Sequence, residues 1–217
     1  MTDINLSPDL EWRDGTPVAV AFDDPYFSLA SGPEETRHTF LRGNDLPARM
    51  CDGFHIAELG FGTGLNALVT AAAWTGKGRL RFTSFEAFPM ARDDMARALA
   101  AFPEFDATAL LDQWPGARVA LPNMDVEIIM GDVRRALPDW SGRADAWFLD
   151  GFSPARNPEM WGADLMGEVA RHTAPGGTFA TYTAAGHVRQ ALAAAGFAVE
   201  RVQGYGRKRH MTKGRLR

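Results

Sequence analysis

The sequence predicts an α/β fold in which helices cover a mostly parallel β-sheet. After Asp52, short apolar runs alternate with longer stretches of helix-forming residues, as in chains built from strand–helix–strand units. The first apolar run ends in a glycine-rich turn, Gly60-Phe61-Gly62-Thr63-Gly64, and acidic residues follow later runs. With 217 residues, 46% of them hydrophobic, the chain is long enough to form one packed core.

The strands are predicted from apolar runs bounded by glycine, proline or acidic residues. They cover Phe54 to Leu59, Leu80 to Phe85, Val126 to Met130, Ala144 to Leu149, Thr178 to Thr183, Ala198 to Gln203 and Lys208 to Thr212. The helices between them cover Leu65 to Trp74, Ala91 to Phe102, Glu159 to Thr173 and His187 to Ala195. A seven-stranded, mostly parallel sheet with a C-terminal antiparallel pair is typical of the Rossmann-like fold of class I S-adenosylmethionine-dependent methyltransferases.

The first fifty residues do not follow this repeat. Turns at Gly15-Thr16-Pro17, Asp23-Asp24-Pro25 and Ser31-Gly32-Pro33 divide them into short pieces. We therefore expect residues 1–50 to form an N-terminal extension of short strands or loops. This extension would cover the active site of a methyltransferase domain in residues 51–217.

Several classes of protein are disfavoured by composition. No apolar run approaches the roughly 20 residues of a membrane-spanning helix, so we expect a soluble, cytoplasmic protein without a membrane partner. The single cysteine, Cys51, excludes an internal disulfide. The five histidines are scattered without ligand spacing, and we expect no metal site.

Charge is distributed unevenly along the chain. Residues 201–217 contain seven basic residues and no acidic one, whereas the remaining residues contain 16 basic and 27 acidic ones. Such asymmetry indicates either a surface that approaches phosphates or a solvated basic tail.

The strand ends carry the residues expected to bind the cofactor. Gly60, Gly62 and Gly64 allow a tight turn and a close approach of backbone to ligand. Glu86 ends the second strand 22 residues after Gly64, near the spacing of the acid that accepts ribose hydroxyls.

Two further acids complete this predicted cofactor site. Asp132 follows the third strand and is placed to accept from the adenine amine, with Val133 packing nearby. Glu58 ends the first strand and could meet the ammonium group of the methionine moiety. Acids at successive strand ends favour S-adenosylmethionine as the ligand.

The fourth strand ends in Asp150-Gly151-Phe152-Ser153-Pro154, which we interpret as the acceptor site. Methyl transfer to an amine requires an uncharged nitrogen that is held and loses its proton. Asp150 can accept a hydrogen bond and then the proton, and is the predicted catalytic residue. Phe152 can pack on a base or on the sulfonium.

Eight segments together resemble the methyltransferase domain of the bifunctional tRNA wobble-uridine enzymes of the MnmC family. They are Gly15–Val18, Phe22–Ser28, Glu34–Arg37, Gly60–Asn66, Ser84–Glu86, Trp147–Phe152, Pro154–Trp161 and Gly204–Arg209. The resemblance extends nearly end to end, and the tryptophan-bearing segment after Asp150 is its most specific part.

The resemblance implies conversion of 5-aminomethyl(-2-thio)uridine in the tRNA anticodon to its methylaminomethyl form, with S-adenosyl-L-methionine as cofactor. It implies that Asp150 lies beside the acceptor amine and that Asn66 belongs to the cofactor site. The residues implied to contact the substrate are Tyr26, Glu35, Arg37, Phe152, Arg207, Lys208 and Arg209. Since the sequence ends at Arg217 without an FAD-dependent oxidase half, we expect separate enzymes to supply the aminomethyl precursor.

Two other functions remain open at the level of sequence. The first is a methyltransferase that acts on a small-molecule or protein amine, which the basic tail disfavours mildly. The second is a noncatalytic RNA-binding module that kept the fold.

Overall fold

The computed structural model describes residues 7–27 and 31–217. Its strands are β1 (Leu10–Arg13), β2 (Thr16–Ala19), β3 (Asp24–Pro25), β4 (His55–Leu59), β5 (Leu80–Glu86), β6 (Arg118–Leu121), β7 (Met124–Met130), β8 (Ala144–Leu149), β9 (Thr173–Thr181), β10 (Phe197–Gln203) and β11 (His210–Leu216). Its α-helices are α1 (Gly32–Thr36), α2 (Leu65–Ala73), α3 (Arg92–Leu99), α4 (Thr108–Gln113), α5 (Val133–Asp139), α6 (Ala163–Arg171) and α7 (Gly186–Ala194).

The large sheet has the strand order β10-β11-β9-β8-β4-β5-β7-β6. Strands β9, β8, β4, β5 and β7 are parallel to their neighbours in this series, and β11 is antiparallel to both β9 and β10. The predicted Rossmann-like class is therefore confirmed. The sheet has eight strands rather than seven, because the short edge strand β6 pairs antiparallel with β7.

Two apolar layers enclose the sheet. One contains Ile56, Phe82 and Phe148 and packs against α2, α3, α4 and the N-terminal segment. The other contains Trp147 and Phe179 and packs against α5, α6 and α7. Because both faces are covered, β4 is buried along its whole length, and its carboxyl end lies at the centre of the sheet edge.

Two predicted elements differ from the structure, and two observed helices were not predicted. The expected helix Glu159 to Thr173 is divided into a 3₁₀ turn, Pro158–Trp161, and α6. The expected fifth strand starts earlier, at Thr173, where a register shift lets β9 pair with β8. Helices α4 and α5 were not predicted, since each has only six or seven residues and α5 contains Pro138.

The N-terminal residues form a small antiparallel sheet, β1-β2-β3, and then a helical segment. The strands agree with the expectation for this part, whereas the helical segment, residues 32–44, was not expected. It is anchored on the large sheet by Asn44, whose side chain donates to the Trp147 carbonyl and accepts from the Thr178 hydroxyl. Ser28 of the resembling motif and residues 1–6 of the expected extension lie outside the described residues.

Within the described ranges, none of the helices has the length and apolar composition needed to cross a membrane. The same part of the chain contains no group of three histidine, cysteine or acidic side chains that could hold a metal ion.

Candidate active site

A cavity of about 830 Å³ lies beyond the carboxyl ends of β4, β5, β7 and β8. The glycine-rich turn after β4 lines one side, and the N-terminal residues 22–27 line another. Ligands of open parallel sheets bind at this edge, and the volume is in the range of small-molecule sites, about 300–1,000 Å³.

The glycine-rich turn fits closely between its neighbours. Gly60 has φ +92°, and a Cβ at this position would overlap the carbonyl oxygen of Asp150. Gly62 has φ +55°, and a Cβ there would lie 3.1 Å from the ring of Tyr26. Both positions therefore favour glycine for conformation and for space.

Glu86 lies at the end of β5 and connects the glycine-rich turn with the loop that follows β5. Its carboxylate accepts hydrogen bonds from the backbone N–H groups of Gly62 and Phe88, each at 2.8 Å. Burial raises the pKa of Glu86, while these backbone donors act in the opposite direction. The side chain lines the cavity and offers acceptor oxygens to a ligand.

Asn66 connects the fully buried Glu58 with the partly buried Asp150. Its amide nitrogen donates to Glu58 at 2.8 Å and to Asp150 at 2.7 Å, and its amide oxygen accepts from the Thr36 hydroxyl at 2.6 Å. Ser84 donates to the other oxygen of Glu58 at 2.7 Å. Each polar group of Asn66 is thereby oriented by a defined partner.

The two acids differ in their surroundings. Glu58 is fully buried, and desolvation followed by the negative charge of Asp150 raises its pKa well above the ordinary value. Burial raises the pKa of Asp150 to about 7, although the hydrogen bond from Asn66 and the charge of Lys208 lower it. Glu58 is therefore favoured as a neutral acid, whereas Asp150 can change its ionisation near neutral pH.

Two side chains from the C-terminal half complete this wall of the cavity. The Tyr182 hydroxyl donates to the Gly151 carbonyl at 2.6 Å, next to Asp150. The Lys208 ammonium lies 4.1 Å from the centre of the Tyr182 ring and forms an ion pair with Glu35. The N-terminal helical segment, the large sheet and the turn between β10 and β11 are therefore in contact at Lys208.

An aromatic cluster and one hydrogen bond hold the N-terminal residues over the cavity. Phe152 stacks on Phe22, with ring centres 4.5 Å apart, and meets the edge of Tyr26 at 5.3 Å. Asp24 accepts from the Ser153 N–H at 2.7 Å. The loop after β8 and the N-terminal segment thus form one continuous wall.

Asp132 starts α5 and lies at the far end of the cavity. Its carboxylate accepts from the backbone and the guanidinium of Arg134, and the guanidinium hydrogen bond is the main reason that its pKa is lowered. Arg134 also pairs with Glu159. Asp132 is therefore held as a charged acceptor beside Val133, which also lines the cavity.

The structure brings most of the predicted site residues to this cavity. Those that line it are Tyr26, Glu35, Gly60, Gly62, Asn66, Glu86, Asp132, Val133, Asp150, Phe152 and Lys208. Glu58 lies beneath Asn66 and does not line the cavity, and neither does Gly64.

Three predicted substrate residues also lie away from the cavity wall. Arg37 pairs with Glu34 and lies over the ring of Phe105. Arg207 and Arg209 are exposed on the turn between β10 and β11, on either side of Lys208.

Sequence reasoning missed two residues of the site. Tyr182 follows β9, and its position at a strand end was a usable signal. Asp24 was interpreted only as part of a turn, because nothing local shows that its carboxylate reaches the loop after β8.

Comparison with known proteins gives one matching family. The sequence model of a family described as S-adenosyl-L-methionine-dependent methyltransferase matches residues 103–217. This range includes Asp132, Asp150, Tyr182 and Lys208.

Two curated relatives are named tRNA 5-methylaminomethyl-2-thiouridine biosynthesis bifunctional protein MnmC. The one from Caulobacter sp. (strain K31) is 48% identical over 96% of this chain and 38% of its own length. The one from Chromobacterium violaceum is 44% identical over 94% of this chain and 34% of its own length. The chain therefore spans about a third of these relatives, and the resemblance predicted from the motifs is confirmed.

A solved structure described as MNMC2 from Aquifex aeolicus has a similar fold, with a TM-score of 0.76. It is 25% identical and covers 97% of this chain and 71% of its own. TrmN from Thermus thermophilus is similar in fold alone, with a TM-score of 0.51 and 16% identity over 85% of this chain and 48% of its own.

Proposed function

The chain belongs to the family of S-adenosyl-L-methionine-dependent methyltransferases, and we propose that it methylates 5-aminomethyl(-2-thio)uridine at the wobble position of tRNA. The acceptor is the primary amine of the aminomethyl group, and the product is 5-methylaminomethyl(-2-thio)uridine. S-adenosyl-L-methionine is the cofactor. The names of the curated relatives support the choice of substrate.

The residues of the cavity fit this cofactor. Gly60 lets the glycine-rich turn pack directly against the backbone of Asp150, where any Cβ would overlap the carbonyl oxygen. We assign Glu86 to the ribose hydroxyls, and Asp132 with Val133 to the adenine, because carboxylates accept from hydroxyl and amine donors. When bound, the cofactor supplies a methyl group on a positively charged sulfur.

The methionine end of the cofactor is assigned to the side of the cavity near Asn66. Since Glu58 lies beneath Asn66 and has no cavity surface, we propose that it acts by orienting the Asn66 amide. This replaces the direct contact with the methionine ammonium that was expected from sequence.

Asp150 is the residue we assign to the acceptor amine. An amine attacks only in its uncharged form, so the site must bind it and remove a proton. A carboxylate whose pKa is about 7 can accept this proton near neutral pH. Asn66 keeps one oxygen of Asp150 occupied and thereby limits rotation of the carboxylate.

The aromatic cluster offers a place for the uracil ring. Phe152 and Tyr26 line the cavity beside Asp150, and bases taken out of a nucleic-acid stack bind against aromatic rings. Arg207 and Arg209 are exposed near Lys208 and are assigned to tRNA phosphates. We expect this reaction to take place in the cytoplasm, after other enzymes have made the aminomethyl group.

The observation that carries this proposal is the Asp150 carboxylate, oriented by Asn66 and facing a cavity lined by the glycine turn. The test is incubation with S-adenosyl-L-methionine and tRNA that carries 5-aminomethyluridine, followed by mass spectrometry of the nucleosides. We expect a gain of one methyl group with the wild type. Asp150→Ala should abolish the gain, whereas Asp139→Ala, an exposed acid of α5, should retain it.

Two outcomes would contradict the proposal. If the wild type leaves aminomethyluridine in tRNA unmethylated, the substrate is wrong. If it methylates a small amine or a protein under the same conditions instead, the acceptor class is different while the family assignment stands.

A further inference from the structure

Lys208 places a flexible cation inside the proposed acceptor site. Its ammonium lies 4.1 Å above the Tyr182 ring and pairs with Glu35, although its backbone belongs to an exposed turn. This is the geometry of a cation–π contact combined with an ion pair. The position is therefore built to hold a positively charged nitrogen.

Three acids act electrostatically on Tyr182, the ring that the Lys208 ammonium contacts. Asp24, Glu35 and Asp150 each raise the pKa of Tyr182 by their negative charge, in addition to the effect of burial. The positive charge of Lys208 lowers the pKa of Asp150. Three carboxyl groups beside one lysine leave an excess of negative potential for a second cation.

Resting on the proposed function, we propose that Lys208 occupies the subsite of the acceptor's aminomethyl cation and is displaced from Glu35 and Tyr182 when tRNA binds. An aminomethyl group arrives mainly as a primary ammonium, the same chemical group as the end of a lysine side chain. Lys208 and the acceptor thus compete for the same aromatic face and the same carboxylate.

Bound tRNA supplies the alternative partner for Lys208. The lysine lies between Arg207 and Arg209, both exposed and both assigned to phosphates. A lysine side chain has four flexible carbons, so its ammonium can turn from Glu35 to a phosphate without movement of the backbone. Bound tRNA would therefore draw Lys208 out of the subsite while its aminomethyl group enters. A free nucleoside has no phosphate chain to bind Lys208 and would have to displace it directly.

The test compares Lys208→Met with wild type for binding of free 5-aminomethyluridine, measured by calorimetry. We expect the variant to bind this nucleoside about tenfold more tightly, because a partly exposed ion pair and cation–π contact no longer have to be broken. Binding of uridine, which lacks the amine, should not change. Lys77→Met removes the same charge from an exposed loop before β5 and should leave both affinities unchanged.

Methylation of aminomethyl-tRNA by Lys208→Met should fall while methylation of the free nucleoside rises, and Lys208→Gln should reproduce both changes. Equal loss on the two substrates, no change in either, or unchanged or undetectable nucleoside binding in the variant would overturn the inference. Failure of the proposed function is a separate outcome, since then the wild type would not methylate aminomethyl-tRNA.

Discussion

Replacement of Asp150 by asparagine should stabilise the protein and at the same time inactivate it. Asparagine has nearly the shape of aspartate and keeps an oxygen that can accept from Asn66. It removes the negative charge that burial opposes. Since the proposed reaction requires this carboxylate as a proton acceptor, methylation should fall about a hundredfold or more.

The magnitude of the stability change follows from the pKa of Asp150. Each pKa unit corresponds to about 1.4 kcal/mol, so a rise from 3.8 to about 7 makes ionisation in the folded state cost about 4 kcal/mol. Because Asp150 faces the cavity and is partly screened by water, we expect a gain of about 2 kcal/mol for the variant.

The sign of the pH dependence is determined by the direction of this shift. At a pH below the pKa of Asp150 in the unfolded chain, this residue is neutral in both the folded and the unfolded protein. The variant should then be no more stable than the wild type. As pH rises from about 4 to 7, the unfolded chain ionises first, so the wild type loses stability relative to the variant. Above about 7 the difference should stay constant.

Urea unfolding of both proteins at about pH 5 and about pH 8 measures this difference. Asp106→Asn is the control of opposite sign, since hydrogen bonds with Thr108 lower the pKa of Asp106 and its charge is favourable in the folded state. An Asp150→Asn protein that is no more stable at pH 8 than the wild type would refute the argument that this carboxyl has a raised pKa.

Three further predictions follow from the same network and from the glycine turn. The single-turnover methylation rate should rise about tenfold per pH unit below 7 and level off above it, as Asp150 ionises; a flat profile would exclude it as the proton acceptor. Glu58→Gln should unfold at the wild-type temperature because it matches the neutral acid, whereas Glu58→Leu should lose about 2 kcal/mol by removing the acceptor of the Ser84 hydroxyl and of one of the two hydrogen bonds that the Asn66 amide donates, which thermal melts will distinguish. Gly60→Ala should abolish binding of S-adenosyl-L-methionine in calorimetry, since its Cβ would overlap the Asp150 carbonyl oxygen, and retained affinity would contradict the role of this turn.

The central strands of the fold could be predicted from sequence because both of their faces are buried. Residues 144–149 are apolar except for Asp145, and the predicted and observed strands have the same bounds. The edge strand β6 alternates between exposed and buried residues over only four positions, too short a pattern to predict. Helix α5 was likewise hidden by its seven residues and by Pro138.

The candidate site was predictable where a residue follows a strand. Glu86, Asp132 and Asp150 all end up at the cavity for this reason. The depth of a side chain is not visible in the sequence, so Glu58 was expected at the ligand although it lies beneath Asn66. The contacts of Asp24 and Lys208 join segments more than a hundred residues apart, and only the folded chain shows them.

The position of β11 within the large sheet affects how the protein is made. Residues 210–216 fill the gap between β9 and β10, both of which leave the ribosome earlier. Until they emerge, β9 has no hydrogen-bonded neighbour on that side, and the turn at residues 204–209 has no second strand to hold it. Nascent chains stalled before this point should therefore be more sensitive to protease than chains that include β11, because the sheet is still open beside β9.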